Sequence, residues 1–304
     1  MISDVVFDTL KHFVPEKNVR KNEPMAAHTT FRVGGPADCF VEVETTEQLV
    51  KVQNYLRQVD DPFYIIGNGS NLLVSDDGYR GVIIQIGQRM KEILTEGITI
   101  RAQAGASMAQ VAAAARKNQL TGLEFASGIP GTIGGGVVMN AGAYGGELSQ
   151  VVTEVTVVDK EGEILVLDNE TMEFGYRKSI IRSHPFVVTE VTMQLSNGDG
   201  NVIQSRMDEL AAKRREKQPL EFPSAGSTFK RPEGYYAGEL IMKAGMKGFA
   251  IGGAQVSEKH CGFVINAGNA MASDIMKVIR EVQCQVREKF RVELEPEVVF
   301  LGRF

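Results

Sequence analysis

The segment GIPGTIGGGVVMNAGAYGGE (residues 128–147) contains eight glycines in twenty residues. A second glycine-rich loop, GNGSN (residues 67–71), follows the apolar run FYII. Such loops either make tight turns and close packing contacts or expose backbone N–H groups that hold phosphate oxygens, and each loop alone is compatible with both interpretations. Two of them in one chain favour a large diphosphate-bearing cofactor held by two lobes.

Neither loop matches a standard nucleotide-binding motif. The pattern GxxxxGK[ST] of P-loop enzymes does not occur in the sequence. Leu72 stands where the dinucleotide-binding fingerprint requires its last glycine. The sequence therefore argues against both a P-loop domain and a standard Rossmann domain.

The composition indicates a globular protein with more than one domain. The chain has 304 residues, of which 43% are hydrophobic and 23% charged, and its formal net charge is −5. This length favours two or three domains. Because the basic residues are dispersed and interleaved with glutamates, we expect no nucleic-acid partner.

Cysteine spacing and the N-terminal segment bear on compartment and metal content. Cys39, Cys261 and Cys284 are widely separated, so we expect reduced thiols and no metal site. Asp4 and Asp8 lie where an export signal would be basic, and no apolar run approaches the length of a membrane span. The expectation is a cytoplasmic protein with no membrane partner, and a monomer.

Helix and strand patterns follow one another irregularly along the chain. Residues 45–59 and 108–120 have the apolar spacing and composition of helices. The segments PADCFVEVE, GVIIQI and FVVTEVTMQL are typical of strands. The predicted fold class is therefore α+β and not a doubly wound sheet.

The sequence predicts three domains. The clearest break is Asn-Gly-Asp-Gly at residues 197–200. We therefore assign residues 1–85 to a first domain, 86–200 to a second and 201–304 to a third. The C-terminal strand near residues 295–304 is expected to pack back on the first domain.

Ser227 lies in the segment SAGSTFKRP (residues 224–232). A serine hydrolase would need a histidine base, and none of the four histidines lies in a motif that suggests a triad. The segment also lacks the G-x-S-x-G elbow. Taken alone, Ser227 is therefore interpreted as a turn residue.

Two further polar clusters have side chains suited to chemistry. FGYRKSIIR contains Tyr176 and Arg177, and the planar guanidinium of arginine binds carboxylates and phosphates. Glu293, Glu295 and Glu297 recur at a period of two, so a regular strand would point all three to one face. On composition alone, both clusters are typical of solvated surfaces.

Five segments, taken together and in order, resemble the UDP-N-acetylenolpyruvoylglucosamine reductase family (MurB). They are GNGSNLLV, GIPGTIGGGVVMNAGAYG, FGYRKS, SAGSTFKRP and LEPEV. The early half also resembles the FAD-binding domain of the vanillyl-alcohol oxidase (PCMH) class. The resemblance implies that residues 1–85 and 86–200 are two FAD-binding subdomains, followed by a C-terminal α+β substrate-binding domain.

The resemblance implies an NADPH-dependent flavoenzyme of peptidoglycan precursor synthesis, and hence a role in cell-wall biogenesis, cell shape and cell division. NADPH would reduce FAD and leave, and the enolpyruvyl UDP-sugar would then enter the same cleft. Hydride addition at C3 and protonation at C2 would give UDP-N-acetylmuramate. Because negative charge develops at C2 and on the carboxylate, hydrogen-bond donors and a cation placed there would make the largest contribution to the rate enhancement.

The catalytic roles fall on three residues that match the family's motifs. Arg177 would hold the substrate carboxylate and stabilise the enolate, and Glu297 would share that task if it is protonated or bridged by a donor. Ser227 would donate the proton to C2. Since a serine hydroxyl is a poor acid, its alkoxide needs stabilisation, and Lys230 is our hypothesis for that role.

The resemblance also implies binding residues. Tyr176, Lys217, Lys230 and Arg231 would contact the UDP-sugar, with Lys217 on its diphosphate and Arg231 where some members have asparagine. The residues expected to hold FAD are Gly67, Asn68, Gly69, Ser70, Asn71, Gly128, Gly131, Thr132, Gly134, Gly135, Asn140 and Gly142.

The sequence also bears on the branch of the family that the chain resembles and on two alternative functions. The interval between FGYR and SAGS is too short for the tyrosine-bearing loop that covers the substrate in one branch of the family, so the chain resembles the loop-lacking type. An FAD-dependent oxidase with the same cofactor domain and a non-catalytic flavin-binding module stay open as alternatives. The tail motifs argue against the oxidase, and the three catalytic positions argue against the module.

Overall fold

The computed structural model describes residues 2–304 and confirms the α+β class. Its helices are α1 (Asp4–Leu10), α2 (Thr46–Gln58), α3 (Met108–Lys117), α4 (Ile133–Val138), α5 (Gly200–Lys217), α6 (Ala237–Lys243) and α7 (Ala272–Phe290). Both helices predicted near residues 45–59 and 108–120 are present, as α2 and α3.

The strands are short and are interspersed among the helices. They are β1 (Val19–Pro24), β2 (Pro36–Val43), β3 (Phe63–Ile66), β4 (Leu72–Val74), β5 (Tyr79–Ile86), β6 (Ile93–Glu96), β7 (Thr99–Gln103), β8 (Leu120–Thr121), β9 (Gly142–Ala143), β10 (Gly146–Glu147), β11 (Val152–Val158), β12 (Ile164–Asp168), β13 (Val187–Gln194), β14 (Ser196–Asn197), β15 (Ala250–Ile251), β16 (Ala254–Val256), β17 (Val264–Asn266) and β18 (Val299–Leu301).

The chain divides into two compact units, and neither is continuous in sequence. Unit one consists of the residues up to Lys21, Cys39–Asn68 and Gly81–Arg214. Unit two consists of Asn22–Asp38, Gly69–Arg80 and Arg215–Phe304. The three-domain division expected from the sequence stays a prediction.

Unit one contains a five-stranded antiparallel sheet in the order β12-β11-β13-β7-β6. The turn at Glu161–Gly162 joins β11 to β12 in an antiparallel hairpin. A second sheet has the order β1-β2-β5-β3, with β3 parallel to β5. The side chains of Val155, Val157 and Val191 are fully buried in the core of this unit.

Helix α2 shows how the local sequence specifies an element of unit one. Leu49, Val52 and Leu56 are fully buried and lie on one face at helical spacing. The hydroxyl of Thr45 caps the helix by accepting the N–H of Gln48 at 3.2 Å. The capping-box spacing predicts a reciprocal bond to Thr45, but the Gln48 amide accepts the N–H of Glu44 instead.

Unit two is built around α7 and the three-stranded sheet β15-β16-β17. Ile275, Ile279, Val282 and Val286 form the buried stripe of the helix. The carboxylate of Asp76 accepts two backbone N–H groups at the start of α7, at 2.7 and 3.0 Å. These bonds satisfy helix donors that have no intrahelical partner.

The C-terminal segment is less regular than the sequence suggests. A strand over residues 292–302 is expected, but β18 comprises only Val299–Leu301 and pairs in parallel with β4. Pro296 interrupts the backbone N–H pattern before β18, because proline has no N–H to donate. The expectation that one regular strand aligns Glu293, Glu295 and Glu297 on one face is therefore wrong.

Two structural features are absent from residues 2–304. Within that range, no helix combines the length and apolarity that a bilayer crossing requires. In the same described part of the chain, no cluster of three or more His, Cys, Asp or Glu residues is arranged to ligate a metal ion.

Candidate active site

The two glycine-rich loops meet in unit one. A Cβ built on Gly67 would lie 2.4 Å from Oγ1 of Thr132, so the backbone of the first loop rests directly on the second. A side chain at position 67 would force the two segments apart, because Cβ contacts below 3.0 Å essentially do not occur. This contact explains why the first loop needs glycine here.

The rest of the first loop belongs to unit two and is held by backbone contacts. Gly69 has a φ of +59°, and a Cβ there would lie 2.0 Å from the carbonyl oxygen of His28. The carbonyl of Ser70 accepts the hydroxyl of Thr30 at 3.4 Å. Asn71 donates its side-chain amide to the carbonyl of Glu297 at 3.0 Å and so fixes the backbone of that residue.

The second loop leads into the short helix α4. Thr132 is buried and caps the helix, with its hydroxyl accepting the N–H of Gly135 at 3.3 Å. A Cβ on Gly134 would lie 2.7 Å from Cβ of Ala104, so Gly134 is required for packing in the core. Gly128, at the start of the loop, is exposed.

The donor set of these loops fits a phosphate-bearing cofactor. Among residues 2–304, the backbone N–H groups of Gly67, Asn68, Gly131 and Thr132 donate to no protein acceptor. All four belong to unit one, and Gly131 has a φ of +127°. Open N–H groups on closely packed glycine loops are the arrangement that binds phosphate oxygens.

Asn140 and Gly142 follow the second loop and make structural contacts. The side chain of Asn140 is 1% exposed; its amide donates to the carbonyl of Gly175 at 3.1 Å, and its oxygen accepts the N–H of Ser149 at 2.9 Å. Gly142 pairs with Glu147 in the β9–β10 hairpin. The expected cofactor role of Asn140 stays a prediction, and its buried side chain also ties the loop to the segment around Gly175.

Arg177 lies at the tip of a tight turn in unit one. Gly175 and Lys178 exchange two backbone hydrogen bonds, of 3.0 and 3.1 Å, which close the turn. Arg177 has a φ of +54°, a left-handed conformation that costs a non-glycine residue about 1–2 kcal/mol. Its Nη2 donates to the carbonyl of Gly142 at 3.3 Å, and Tyr176 beside it is 55% exposed.

Ser227 is presented to solvent by a fixed backbone in unit two. Its side chain is exposed, and its Oγ makes no hydrogen bond to protein among residues 2–304. The next residue, Thr228, is fully buried; its N–H donates to the carbonyl of Gly262 at 2.8 Å, and its hydroxyl accepts the N–H of Val264 at 2.9 Å. The hydroxyl of Ser227 is therefore available to a ligand on a rigid support.

Glu297 lies beside the Ser227 segment. The N–H of Glu297 donates to the carbonyl of Thr228 at 2.8 Å, and Phe229 forms an antiparallel bridge with Pro296. Residues 228–230 and 295–297 therefore pair over a short stretch. This pairing brings Ser227 and Glu297 to the same end of the paired stretch, although their residue numbers differ by 70.

The remaining expected substrate residues carry positive charge in unit two. Nζ of Lys230 forms an ion pair with the carboxylate of Glu295, so the structure does not direct this cation at Ser227. The guanidinium of Arg231 lies 4.0 Å from the ring centroid of Tyr236, a cation–π contact. Lys217 is exposed as the last residue of α5.

His260 is the histidine of unit two that bears on a serine-hydrolase interpretation. Burial lowers the pKa of its imidazole below the ordinary value. Its Nδ1 accepts the backbone N–H of Gly262 at 3.1 Å. One ring nitrogen is thus engaged with the backbone, which argues against a hydrolase triad at Ser227.

Two aromatic residues of the site region escaped sequence reasoning. Tyr144 and Gly145 have φ values of +54° and +89° and form the two-residue turn between β9 and β10. Positive φ at both central positions is the type I′ turn, and a tyrosine there is strained. Tyr144 is 40% and Tyr236 is 60% exposed. The glycine that follows Tyr144 was the available signal for the turn.

Two family models match the chain in order. Residues 37–168 match the family described as "FAD binding domain". Residues 218–301 match the family described as "UDP-N-acetylenolpyruvoylglucosamine reductase, C-terminal domain". The open N–H groups around Gly67 and Thr132 lie within the first of these regions.

Curated relatives align with almost the whole chain. The UDP-N-acetylenolpyruvoylglucosamine reductase of Caldanaerobacter subterraneus is 49% identical over 301 residues, which cover 99% of this chain and 99% of the relative. The enzyme of the same name from Clostridium botulinum strain Langeland is 50% identical over 289 residues, or 95% of this chain and 94% of the relative.

Solved structures extend the comparison to the fold. The UDP-N-acetylenolpyruvylglucosamine reductase (MurB) of Thermus caldophilus superposes with a TM-score of 0.79 at 34% identity and covers 93% of this chain and 100% of that chain. The 4-ethylphenol oxidase of Gulosibacter chungangensis has a TM-score of 0.50 at 16% identity over 64% of this chain and 43% of its own. The second likeness concerns the fold alone.

Proposed function

The chain belongs to the UDP-N-acetylenolpyruvoylglucosamine reductase family, and from this premise we propose the residues and the hydride donor with which it works. It is an FAD-dependent oxidoreductase that reduces the enolpyruvyl ether of a UDP-sugar to UDP-N-acetylmuramate in peptidoglycan precursor synthesis. NADPH is the proposed donor. Since its product enters cell-wall synthesis, we assign the enzyme to cell shape and division, and to the cytoplasm.

The division of labour within the chain is part of the proposal. Residues 1–85 and 86–200 act as the two FAD-binding subdomains, and residues 201–304 bind the substrate. Support comes from the matched families, which separate FAD binding at residues 37–168 from the reductase-specific part at residues 218–301.

FAD is held by the glycine loops. The open N–H groups of Gly67, Asn68, Gly131 and Thr132 bind its diphosphate, and the other expected contacts are Gly69, Ser70, Asn71, Gly128, Gly134, Gly135, Asn140 and Gly142. Bound FAD supplies the chemistry of accepting hydride from NADPH and delivering it to C3 of the enolpyruvyl group. Residues of the chain bind the substrate, stabilise the developing charge and supply the proton.

Arg177 holds the substrate carboxylate and stabilises the charge that develops next to it. The strained turn and the bond to Gly142 orient its guanidinium before the substrate arrives. A cation that is already oriented stabilises the transition state more than the ground state, because it does not have to reorient as negative charge develops on the substrate.

Ser227 donates the proton to C2, and Glu297 assists at the same place. The observation that carries this proposal is the backbone pairing of residues 228–230 with residues 295–297, which brings two distant motifs together. Glu297 must be protonated or bridged by a donor, because an ionised carboxylate would repel the enolate. Lys230 contacts the substrate, and its positive charge is balanced by the ion pair with Glu295.

The UDP part of the substrate is bound by exposed cations and aromatic rings. Lys217 contacts the diphosphate, and Arg231 adds a second positive group beside Tyr236. Tyr176 contacts the substrate next to Arg177. NADPH and the UDP-sugar bind one after the other in the same cleft. The enzyme acts as a monomer. Because the chain lacks the tyrosine-bearing loop, other residues cover the substrate.

Replacing Ser227 by alanine tests the proposal, because it removes the proton donor and leaves hydride uptake intact. We expect flavin reduction by NADPH to persist and turnover of the UDP-sugar to fall by about 100-fold or more. The two half-reactions are followed separately, anaerobically, by flavin absorbance. Ser224→Ala in the same segment is the matched control; loss of both half-reactions in Ser227→Ala alone would instead indicate a structural serine.

A further inference from the structure

Arg214 packs against the first glycine of the second loop. A Cβ built on Gly128 would lie 3.2 Å from Cδ and 3.3 Å from Nη1 of Arg214, so the side chain packs beside the backbone at this position. Both residues belong to unit one. A Cβ at position 128 would require the arginine side chain to shift by a few tenths of an ångström.

Within the described residues 2–304, this guanidinium has no counter-charge. Among residues 2–304, no carboxylate lies within 4.0 Å of it, and it donates no hydrogen bond to a protein acceptor. Its neighbour Lys213 differs, since it pairs with Glu209 on the same helix. Arg215 also has no partner among residues 2–304 but is exposed to solvent, so Arg214 is distinguished by being unpaired and half-buried.

Burial makes the missing partner costly. Desolvation lowers the pKa of Arg214, while the phenol of Tyr144 is close enough to act on its charge and oppose that shift. A charge withdrawn from water without a partner is destabilising unless a ligand supplies the partner. The surroundings of Arg214 thus favour an anion that the protein does not contain.

The position on the glycine loop identifies the anion. Gly128 lies three residues before Gly131, where the open N–H groups begin. Backbone donors on the loop and a half-buried cation of α5 packed against it select the same kind of ligand, a phosphate group. We propose that Arg214 pairs with a phosphate of bound FAD; this inference rests on the cofactor site of the proposed function.

The test measures FAD affinity and not turnover. Full-length protein freed of flavin is titrated with FAD, and binding is read from quenching of flavin fluorescence. Arg214→Met keeps the apolar stem and removes the charge, so the dissociation constant for FAD should rise about tenfold or more. The affinity of this variant should also depend less on salt than that of the wild type.

Arg215→Met is the matched control, because it changes an exposed arginine at the next position of the same helix. It should bind FAD like the wild type. Arg214→Lys retains a charge without the planar fork and should give an intermediate dissociation constant. It also provides a second reading if Arg214→Met folds poorly.

The outcomes separate three possibilities. Equal FAD affinity in Arg214→Met and Arg215→Met would overturn the inference. Unchanged FAD affinity with a raised KM for NADPH or for the UDP-sugar would also overturn it and assign Arg214 to that nucleotide. A wild-type protein that binds no FAD would contradict the cofactor site itself, and this inference with it.

Discussion

At the scale of single residues, Arg177 combines a strained backbone with the proposed role of holding the substrate carboxylate. Its φ of +54° places an arginine where glycine is preferred. The conformation persists because the turn is closed on both sides and because Arg182 donates to the carbonyl of Arg177 at 3.0 Å. Strain that the surroundings maintain at a half-buried cation is typical of a functional position.

Two substitutions at Arg177 separate strain from function. Arg177→Gly and Arg177→Ala both remove the guanidinium, so both should lower turnover of the UDP-sugar by about 100-fold or more. Only glycine also relieves the left-handed backbone, so its free energy of unfolding should exceed that of Arg177→Ala by about 1–2 kcal/mol. Denaturant unfolding measures the difference; equal stability of the two variants would contradict the strain.

His260 makes a specific contribution to the pH dependence of stability. Its pKa is lowered by burial from an ordinary value of 6.5. Below pH 6.5 the unfolded chain therefore binds a proton that the folded protein does not, and stability falls as the pH decreases toward the folded pKa. Above pH 6.5 this contribution is fully present.

Replacing His260 by asparagine should flatten that dependence, because the proton no longer binds in the unfolded state. The asparagine oxygen can still accept the N–H of Gly262. Thermal unfolding between pH 5 and 7 measures the effect (a range of about one to two units around the ordinary pKa). His184→Asn, at an exposed position, is the control; the same slope for His260→Asn and wild type would contradict the account.

At the scale of elements, the segment that follows the second glycine loop carries the Arg177 turn. Asn140 donates to the carbonyl of Gly175, and the buried Ser179 donates its hydroxyl to the carbonyl of Val138 at 2.9 Å. Together with the contact of Arg177 to Gly142, these bonds attach the turn at three points. The element that we propose to bind the cofactor thereby also positions the arginine.

Asn140→Asp tests this attachment. The aspartate oxygen can still accept the N–H of Ser149, but an ionised carboxylate repels the carbonyl of Gly175. We expect reoxidation of reduced flavin by the UDP-sugar to slow by about tenfold, since a misplaced cation stabilises the enolate poorly. The defect should shrink as the pH falls, because a protonated carboxyl can donate again.

The control for this substitution is Asn18→Asp. Asn18 is also buried in unit one and donates its amide to a backbone carbonyl, that of Glu42 at 3.1 Å. Both variants should lose stability, whereas only Asn140→Asp should show the pH-dependent defect with the UDP-sugar. A parallel response of the two variants would reduce Asn140 to a purely structural residue.

At the scale of the whole molecule, the local elements could be predicted well and the assembly less so. The stripe of Leu49, Val52 and Leu56 fixes α2, because it depends only on neighbouring residues. The strand expected through Glu293 fails because Pro296 and pairing with a distant segment decide the backbone there. The composition of the two units from separate stretches of chain has no local signal.

Only part of the candidate site could likewise be predicted from the sequence. The segments that contain Arg177, Ser227 and Glu297 can be recognised in the sequence, since each has a motif of its own. Arg214 cannot, because its importance arises from a missing partner that only the folded chain displays, and for Tyr144 the following glycine signals a turn but not its strained geometry. Contacts between distant segments are what sequence patterns leave out.

We infer that this chain passes reducing equivalents from NADPH to the enolpyruvyl UDP-sugar through bound FAD. The most direct measurement reduces the purified flavoprotein with one equivalent of NADPH without oxygen and then adds the UDP-sugar. The account predicts that flavin absorbance returns and that UDP-N-acetylmuramate forms in equal amount. Flavin that stays reduced until oxygen is admitted would contradict the claim and indicate an oxidase.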